Sequence, residues 1–130
     1  MVKLILDSNF LLIPFQFRID IFEEINNLLG KAEPIVLSTT LEELKRKAEK
    51  SSAKKYMQFS AALKLAEKCE ILEVKREVSE NYDDVILRVA SELKIPVATN
   101  DAELRKRLRR AGLATIYLRQ KSRLVIEGHT

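Results

Sequence analysis

Val2-Lys3-Leu4-Ile5-Leu6-Asp7-Ser8-Asn9 opens the chain with a short apolar run that stops at a carboxylate. A continuous run of branched residues this short reads as a strand buried on both faces, the kind found inside parallel sheets. Asp7 then stands where such a strand would leave the sheet. It precedes another apolar stretch, residues 10–17 with Pro14 inside, which reads as a bent segment packed on the core. Nothing in the sequence assigns Asp7 a capping role, so its charge asks for another explanation.

The rest of the chain repeats the pattern. Asp20 can cap a helix whose inward face carries Ile21, Phe22, Ile25, Leu28 and Leu29, with Gly30 after it. Pro34 introduces a second strand at 35–37. Thr39 or Thr40 caps the next helix, with Leu41, Leu44 and Ala48 on its buried side. Ser51-Ser52 breaks it, and a long helix follows over 53–68, with Tyr56, Phe59, Leu63 and Ala66 at helical spacing and read as core. Residues 71–74 make a third strand and 79–82 a polar loop. Asp83 opens a helix with Val85, Ile86, Val89, Ala90 and Leu93 inward. A fourth strand covers 95–99, and a helix from Asp101 carries Leu104, Leu108 and Ala111 to a stop at Gly112. Residues 115–118 form a fifth strand, and 124–126 can add a short edge strand. Strands that alternate with helices imply a mostly parallel sheet of about five strands in a three-layer α/β/α domain, with right-handed crossovers.

Four acidic spots fall at corresponding places in this pattern: Asp7, Glu43, Asp83 and Asp101. Asp7 and Asp101 follow strands; Glu43 and Asp83 lie in first helical turns. In a βα unit those places share one edge of the sheet, where open α/β sheets bind ligands. Two carboxylates ~4 Å apart cost roughly 1 kcal/mol in water and roughly 4 kcal/mol at a partly buried site. Four together ask for a cation, and an all-oxygen pocket suits Mg²⁺ or Mn²⁺.

Composition narrows the partners. The chain has 130 residues, enough for one domain over 1–130, with a net charge of +4. The basic excess is local, in Arg105, Lys106, Arg107, Arg109, Arg110, Arg119, Lys121 and Arg123. A basic wall beside an acidic pocket suits a polyanion whose phosphate must reach a metal. Arg105, Lys106, Arg109, Arg119, Lys121 and Arg123 are therefore candidate nucleic-acid contacts. Cys69 is alone and reads as a small buried hydrophobe. The single histidine, His129, lies at the chain end, which excludes a histidine triad or a histidine zinc site. The apolar start is too short for a leader or a membrane span, so a cytoplasmic protein without membrane contact is expected.

These motifs resemble the PIN-domain ribonucleases over nearly the whole chain. Asp7-Ser8-Asn9 is similar to that family's Asp-Thr-Asn opening, with Ser8 in place of Thr. Leu41-Glu42-Glu43-Leu44 resembles its Glu-Leu element. Asp83-Asp84-Val85-Ile86 resembles its third-acid helix, with Asp83 seven positions before Ala90, and Thr99-Asn100-Asp101 its Thr-x-Asp. The resemblance implies a five-stranded parallel sheet and Mg²⁺- or Mn²⁺-dependent RNA cleavage that leaves a 5′-phosphate and a 3′-hydroxyl. It implies Asp7, Glu43, Asp83 and Asp101 as catalytic, metal-site acids, Asn9 and Thr99 as polar pocket groups and Glu103 as an auxiliary acid. By a count of ~100° per residue, Glu42 and Glu43 flank the buried stripe equally; the resemblance favours Glu43. It likewise favours Asp83 over Asp84, which stays as an auxiliary candidate. Residues 10–30 and 117–120 resemble the archaeal branch near the eukaryotic small-subunit rRNA-processing nucleases more than VapC toxins. Candidate partners are RNA, a second copy of the chain in a homodimer, a ribosome-assembly factor or an antitoxin.

Asp7 apart, the acids also have ordinary readings. Asp83 and Asp101 can simply cap helices, and Glu42 and Glu43 can pair with Arg46 and Lys47 for ~0.3–0.5 kcal/mol each. Two other functions compete with cleavage. One is a module that binds RNA or a ribosome-assembly partner without cutting. The other is a phosphatase of the haloacid-dehalogenase type with Asp7 as nucleophile, although Asn9 stands where that pattern wants a second Asp.

Overall fold

Strand β1 (Val2–Leu6) lies inside the sheet, as its unbroken apolar run requires. The computed structural model describes residues 1–128, so His129 falls outside the described residues. After β1 come α1 (Ser8–Leu11), α2 (Ile13–Phe17), α3 (Ile21–Leu29), β2 (Ala32–Leu37), α4 (Ser38–Glu49), α5 (Ala53–Ala66) and β3 (Glu70–Leu72). Then follow α6 (Tyr82–Leu93), β4 (Val97–Ala98), α7 (Ala102–Arg110), β5 (Thr115–Arg119) and β6 (Arg123–Glu127). The sheet runs β3-β2-β1-β4-β5-β6. All neighbours pair in parallel except β5 and β6.

The pleat sends alternate side chains to opposite faces. Leu4, Leu6, Val36, Ala98 and Ile116 join one core cluster with Phe10, Leu11, Ile21, Ile25, Leu44, Ala62 and Ala66 from helices α1 and α3–α5. Ile5, Ile35, Leu37 and Val97 join the other, with Val85, Ile86, Val89, Leu104 and Leu108 from α6 and α7. Each fully buried Leu, Ile or Phe contributes roughly 1.5–3 kcal/mol. Cys69 packs in the first cluster, and burial pushes its thiol up to about 11.

The sheet has six strands. The expected edge segment at 124–126 is part of β6, antiparallel to β5 from Thr115↔Glu127 to Arg119↔Arg123. Three residues connect the two strands, far too few for a parallel crossover. Gln120 (φ 53) and Lys121 (φ 59) take the left-handed conformation that tight hairpin turns use.

Several local readings need correction. Pro34 lies within β2, which starts at Ala32; β3 pairs β2 only from Ile35 on, so the missing N–H falls beside an open flank. Thr39 and Thr40 are buried inside the first turn of α4, and the residue before that helix, Leu37, makes no side-chain cap. The Ser38 hydroxyl instead bonds the backbone of Val74, donating to its carbonyl at 3.1 Å and accepting its N–H at 2.9 Å. Asn81, not Asp83, caps α6, in a reciprocal capping box with Asp84. Tyr56 is on the exposed side of α5 rather than in the core, as is Leu93 on α6.

Candidate functional site

The strand order reverses between β1 and β4: β2 lies to one side of β1 and β4 to the other. Asp7 leaves β1 at this point and Thr99-Asn100-Asp101 leaves β4 beside it. Asp7 N–H donates to Ala98 O at 3.0 Å, which laces the two segments together, and Thr99 N–H donates to Ile116 O of β5 at 2.9 Å. Asp83 arrives in the first turn of α6, as expected, whereas Glu43 arrives in the second turn of α4 and not its first, because that helix already begins at Ser38.

Hydrogen bonds hold the centre of this crevice. The Thr99 hydroxyl donates to Asp7 Oδ2 at 2.7 Å and accepts the Asp101 N–H at 3.1 Å. Asp7 Oδ1 accepts the Ser8 N–H at 2.7 Å and so caps α1, a role the sequence did not suggest. Asn9 Oδ1 accepts the Asn100 N–H at 3.0 Å, and Asn100 Oδ1 accepts the Leu118 N–H at 2.8 Å, which ties β4's exit to β5. Asp101 Oδ1 accepts the Glu103 and Leu104 N–H groups at 2.9 and 3.1 Å, as an N-cap does.

The electrostatics are those of crowded acids. Asp7 is 2% exposed, and its pKa is raised to about 7. Burial is the main cause; the Thr99 hydrogen bond opposes it, and the charges of Asp83 and Glu43 add to it. Asp83 is raised to about 6, first by burial, then by the charges of Asp101 and Glu43 and by a hydrogen bond shared with the Asp101 carboxyl, with Arg107 opposing. Glu43 Oε1 is buried without any partner, while Oε2 stands 3.4 Å from Lys47.

The structure also separates the ambiguous neighbours. Glu42 is exposed, whereas Glu43 turns toward the crevice. Asp84 caps α6 and pairs with Arg107 at 2.7 Å; its pKa is lowered, first by the Asn81 N–H and then by Arg107. Glu103 is only 3.8 Å from Lys106 and its side chain is 83% exposed, so it does not line the pocket.

The candidate RNA-binding residues divide. Arg119, Lys121 and Arg123 sit exposed around the β5–β6 turn, at the same sheet edge as the acids. Arg105 packs its guanidinium 3.9 Å from the Tyr117 ring centre. Arg109 lies toward the opposite edge, donating to Leu113 O at 3.1 Å and facing Glu127 at 3.8 Å, so it does not join the crevice.

One feature escaped the sequence reading. On the far side of the acids from the β5–β6 turn, an open groove of about 610 Å³ adjoins Glu43 and is lined by Arg46, Lys47, Lys50, Lys55, Phe59 and Tyr82. The density of Lys and Arg between residues 45 and 55 is the available signal, of which the ion-pair reading uses only Arg46 and Lys47.

A divalent cation fits the crevice by chemistry. The donors are hard carboxylate oxygens, one of them is buried and unsatisfied, and two carboxyls hold their protons unusually well, first through burial and then through the neighbouring acids. The acids face a common space without closing on a point: among the described residues, no three His, Cys, Asp or Glu side chains gather at metal-holding spacing.

Fold and crevice thus define a class, an open α/β domain with an acid-lined pocket at its topological switch point. The sequence matches the family model described as a PIN like domain over residues 4–121, and the chain belongs to that family. It is 32% identical over 133 residues to Ribonuclease VapC4 of Methanocaldococcus jannaschii, covering 98% of each protein. Among solved structures it is similar to the PIN domain endonuclease Utp24, with a TM-score of 0.81 and 26% identity, over 98% of this chain and 92% of that one. The fold also matches VapBC-1 of nontypeable Haemophilus influenzae, with a TM-score of 0.61 and 20% identity, over 84% of this chain and 94% of that one. Among the described residues no helix is long and apolar enough to cross a membrane.

Proposed function

We propose that the chain is an endoribonuclease that hydrolyses RNA phosphodiesters with Mg²⁺ or Mn²⁺ held by Asp7, Glu43, Asp83 and Asp101. We further propose that it acts in the processing of rRNA or other RNA in the cytoplasm. The carrying observation is the convergence of four carboxylates, from four separate elements, on a crevice where Glu43 Oε1 is buried and unpartnered. Family membership and the two nuclease-named relatives support the same reading.

The cation would neutralise charge on the phosphodiester and lower the pKa of a bound water. The chain's own groups prepare the pocket. Thr99 holds the Asp7 carboxylate and the Asp101 backbone with one hydroxyl. Asn9 keeps the turn after β4 against the end of β1. Asp101 spends one oxygen on capping α7, which orients the other side of its carboxyl toward Asp83. The exposed Arg119, Lys121 and Arg123 supply positive charge at the pocket's edge for the RNA backbone.

The test is incubation with structured and unstructured RNA, with and without Mn²⁺, alongside an Asp7→Ala, Asp101→Ala protein. Cleavage that needs the metal and vanishes in the variant is expected. Undiminished cleavage by the variant would overturn the assignment, and binding without turnover across several RNAs and metals would make the domain a non-catalytic RNA-binding module. A second reading, a toxin ribonuclease with an antitoxin partner, is favoured by the 32% identity to Ribonuclease VapC4. Growth arrest on expression, relieved by a co-encoded protein, would select it.

A further inference from the structure

The groove meets the acid crevice through Glu43 and its partner Lys47, and it extends from there as an open cavity. Its walls are the second half of α4, the start of α5 and the first residue of α6. Its lining carries four cations, Arg46, Lys47, Lys50 and Lys55, against one carboxylate, Glu43. Two of the four are engaged: Lys47 lies 3.4 Å from Glu43, and the Arg46 guanidinium donates to the Tyr82 hydroxyl at 3.1 Å. Lys50 and Lys55 are exposed and form no ion pair with a described residue. The groove also has an aromatic wall, with Phe59 and Tyr82 among its lining residues. A cavity of this size falls within the range that holds small ligands. Positive charge beside aromatic rings is the chemistry that accepts a single nucleic-acid strand, phosphates on the cations and bases on the rings.

Its position assigns it a direction. The sheet order puts α4, which follows β2, on one side of the β1–β4 crevice and the β5–β6 turn on the other. A strand laid along this edge meets Arg119, Lys121 and Arg123 on one flank, passes the acids, and meets the groove on the other. We infer that the α4–α5 groove is a second binding site for single-stranded RNA, in which Lys50 and Lys55 each neutralise a backbone phosphate on the flank of the crevice opposite the β5–β6 turn. This rests on the reading of the chain as an RNA nuclease and names where that substrate lies.

The experiment measures affinity for a labelled single-stranded RNA against salt concentration, in a cleavage-inactive Asp101→Asn parent that retains an N-capping side chain. Adding Lys50→Gln and Lys55→Gln should weaken binding roughly tenfold and flatten the slope of log K against log[salt] by about 1.4, at about 0.7 per lost phosphate contact on a single strand. Lys50→Arg with Lys55→Arg should restore both. Lys31→Gln with Lys94→Gln removes the same charge at the opposite sheet edge and should leave the slope unchanged. A parent that binds RNA with a slope unmoved by the Lys50 and Lys55 changes overturns the groove assignment alone. Loss of binding to an acidic peptide with the RNA slope unchanged would also overturn it, in favour of a protein partner. A parent that binds no RNA, together with a native chain that cleaves none, removes the nuclease reading and this inference with it.

Discussion

Two carboxylate settings meet on one helix. At the outer side of α6 the acids have arginines: Glu80, just before the helix, receives Arg88 at 2.8 and 3.0 Å, and Asp84 receives Arg107 at 2.7 Å while completing the capping box. Both acids are held below their ordinary pKa, Glu80 first by Arg88 and Asp84 first by the Asn81 N–H. In the crevice the situation is reversed. Asp83 and Asp7 are held above their ordinary pKa, first by burial and then by other acids. Asp83 and Asp84 are adjacent in the chain, so the difference between a structural acid and a candidate ligand is one ~100° step around a helix.

The largest break in that comparison is functional. Asp7→Ala with Asp101→Ala should reduce metal-dependent RNA cleavage by on the order of 10²–10³-fold or more, the scale of losing a transition-state electrostatic contact. Asp84→Ala should leave cleavage per folded molecule little changed. Parallel assays on the two proteins check this, and equal losses would erase the distinction.

Stability against pH comes next. Asp7 has a folded pKa of about 7, above its ordinary value of 3.8, so its ionised form opposes folding. Without metal, stability should therefore rise as pH falls from above 7 toward 4, the window between the folded and unfolded values. The rim acids act in the other direction: their depressed pKa values add stability that is lost only as pH falls through the acidic range. Asp7→Asn should raise the stability of the metal-free protein above pH 7 by up to about 4 kcal/mol, at 1.36 kcal/mol per pKa unit, and flatten the rise below it. Thermal melts of both proteins across that window decide it; a native melting temperature that falls from pH 7 to 5 contradicts it.

A smaller effect sharpens the rim. Asp84→Ala loses one side of the capping box and the Arg107 pair, and should lower the midpoint of denaturant unfolding. Smallest of all, Glu42→Gln should stay within about 0.5 kcal/mol of the native stability, as for an exposed site. Glu43→Gln should by contrast weaken Mn²⁺ uptake measured by calorimetry.

Much of this was legible in one dimension. The buried runs at 4–6 and 35–37 announce a parallel sheet because both faces of each strand are covered. Acids that recur after strands or early in the helices that follow share an edge by topology alone, although Glu43 lies a turn further into α4 than the sequence suggests. What escaped depended on direction or on company. Asn81 took the cap that Asp83 seemed placed for, because its oxygen reaches the Asp84 N–H at 2.8 Å. Glu103 stands only two residues past Asp101, yet it points to solvent beside Lys106. Arg109 belongs to the basic run but is tied down at the far edge.

The sequence by itself determined the alternation of strands and helices and the four places where acids recur, because hydrophobic periodicity and the βα connection are local properties of the chain. Helix geometry read from the sequence leaves Glu42 against Glu43 and Asp83 against Asp84 open, with only the family resemblance favouring Glu43 and Asp83; the tertiary structure turns those two inward. It also decided that a basic groove lies beside them. Those outcomes depend on helix rotation and on which cations already have partners, and both are settled only when distant elements pack.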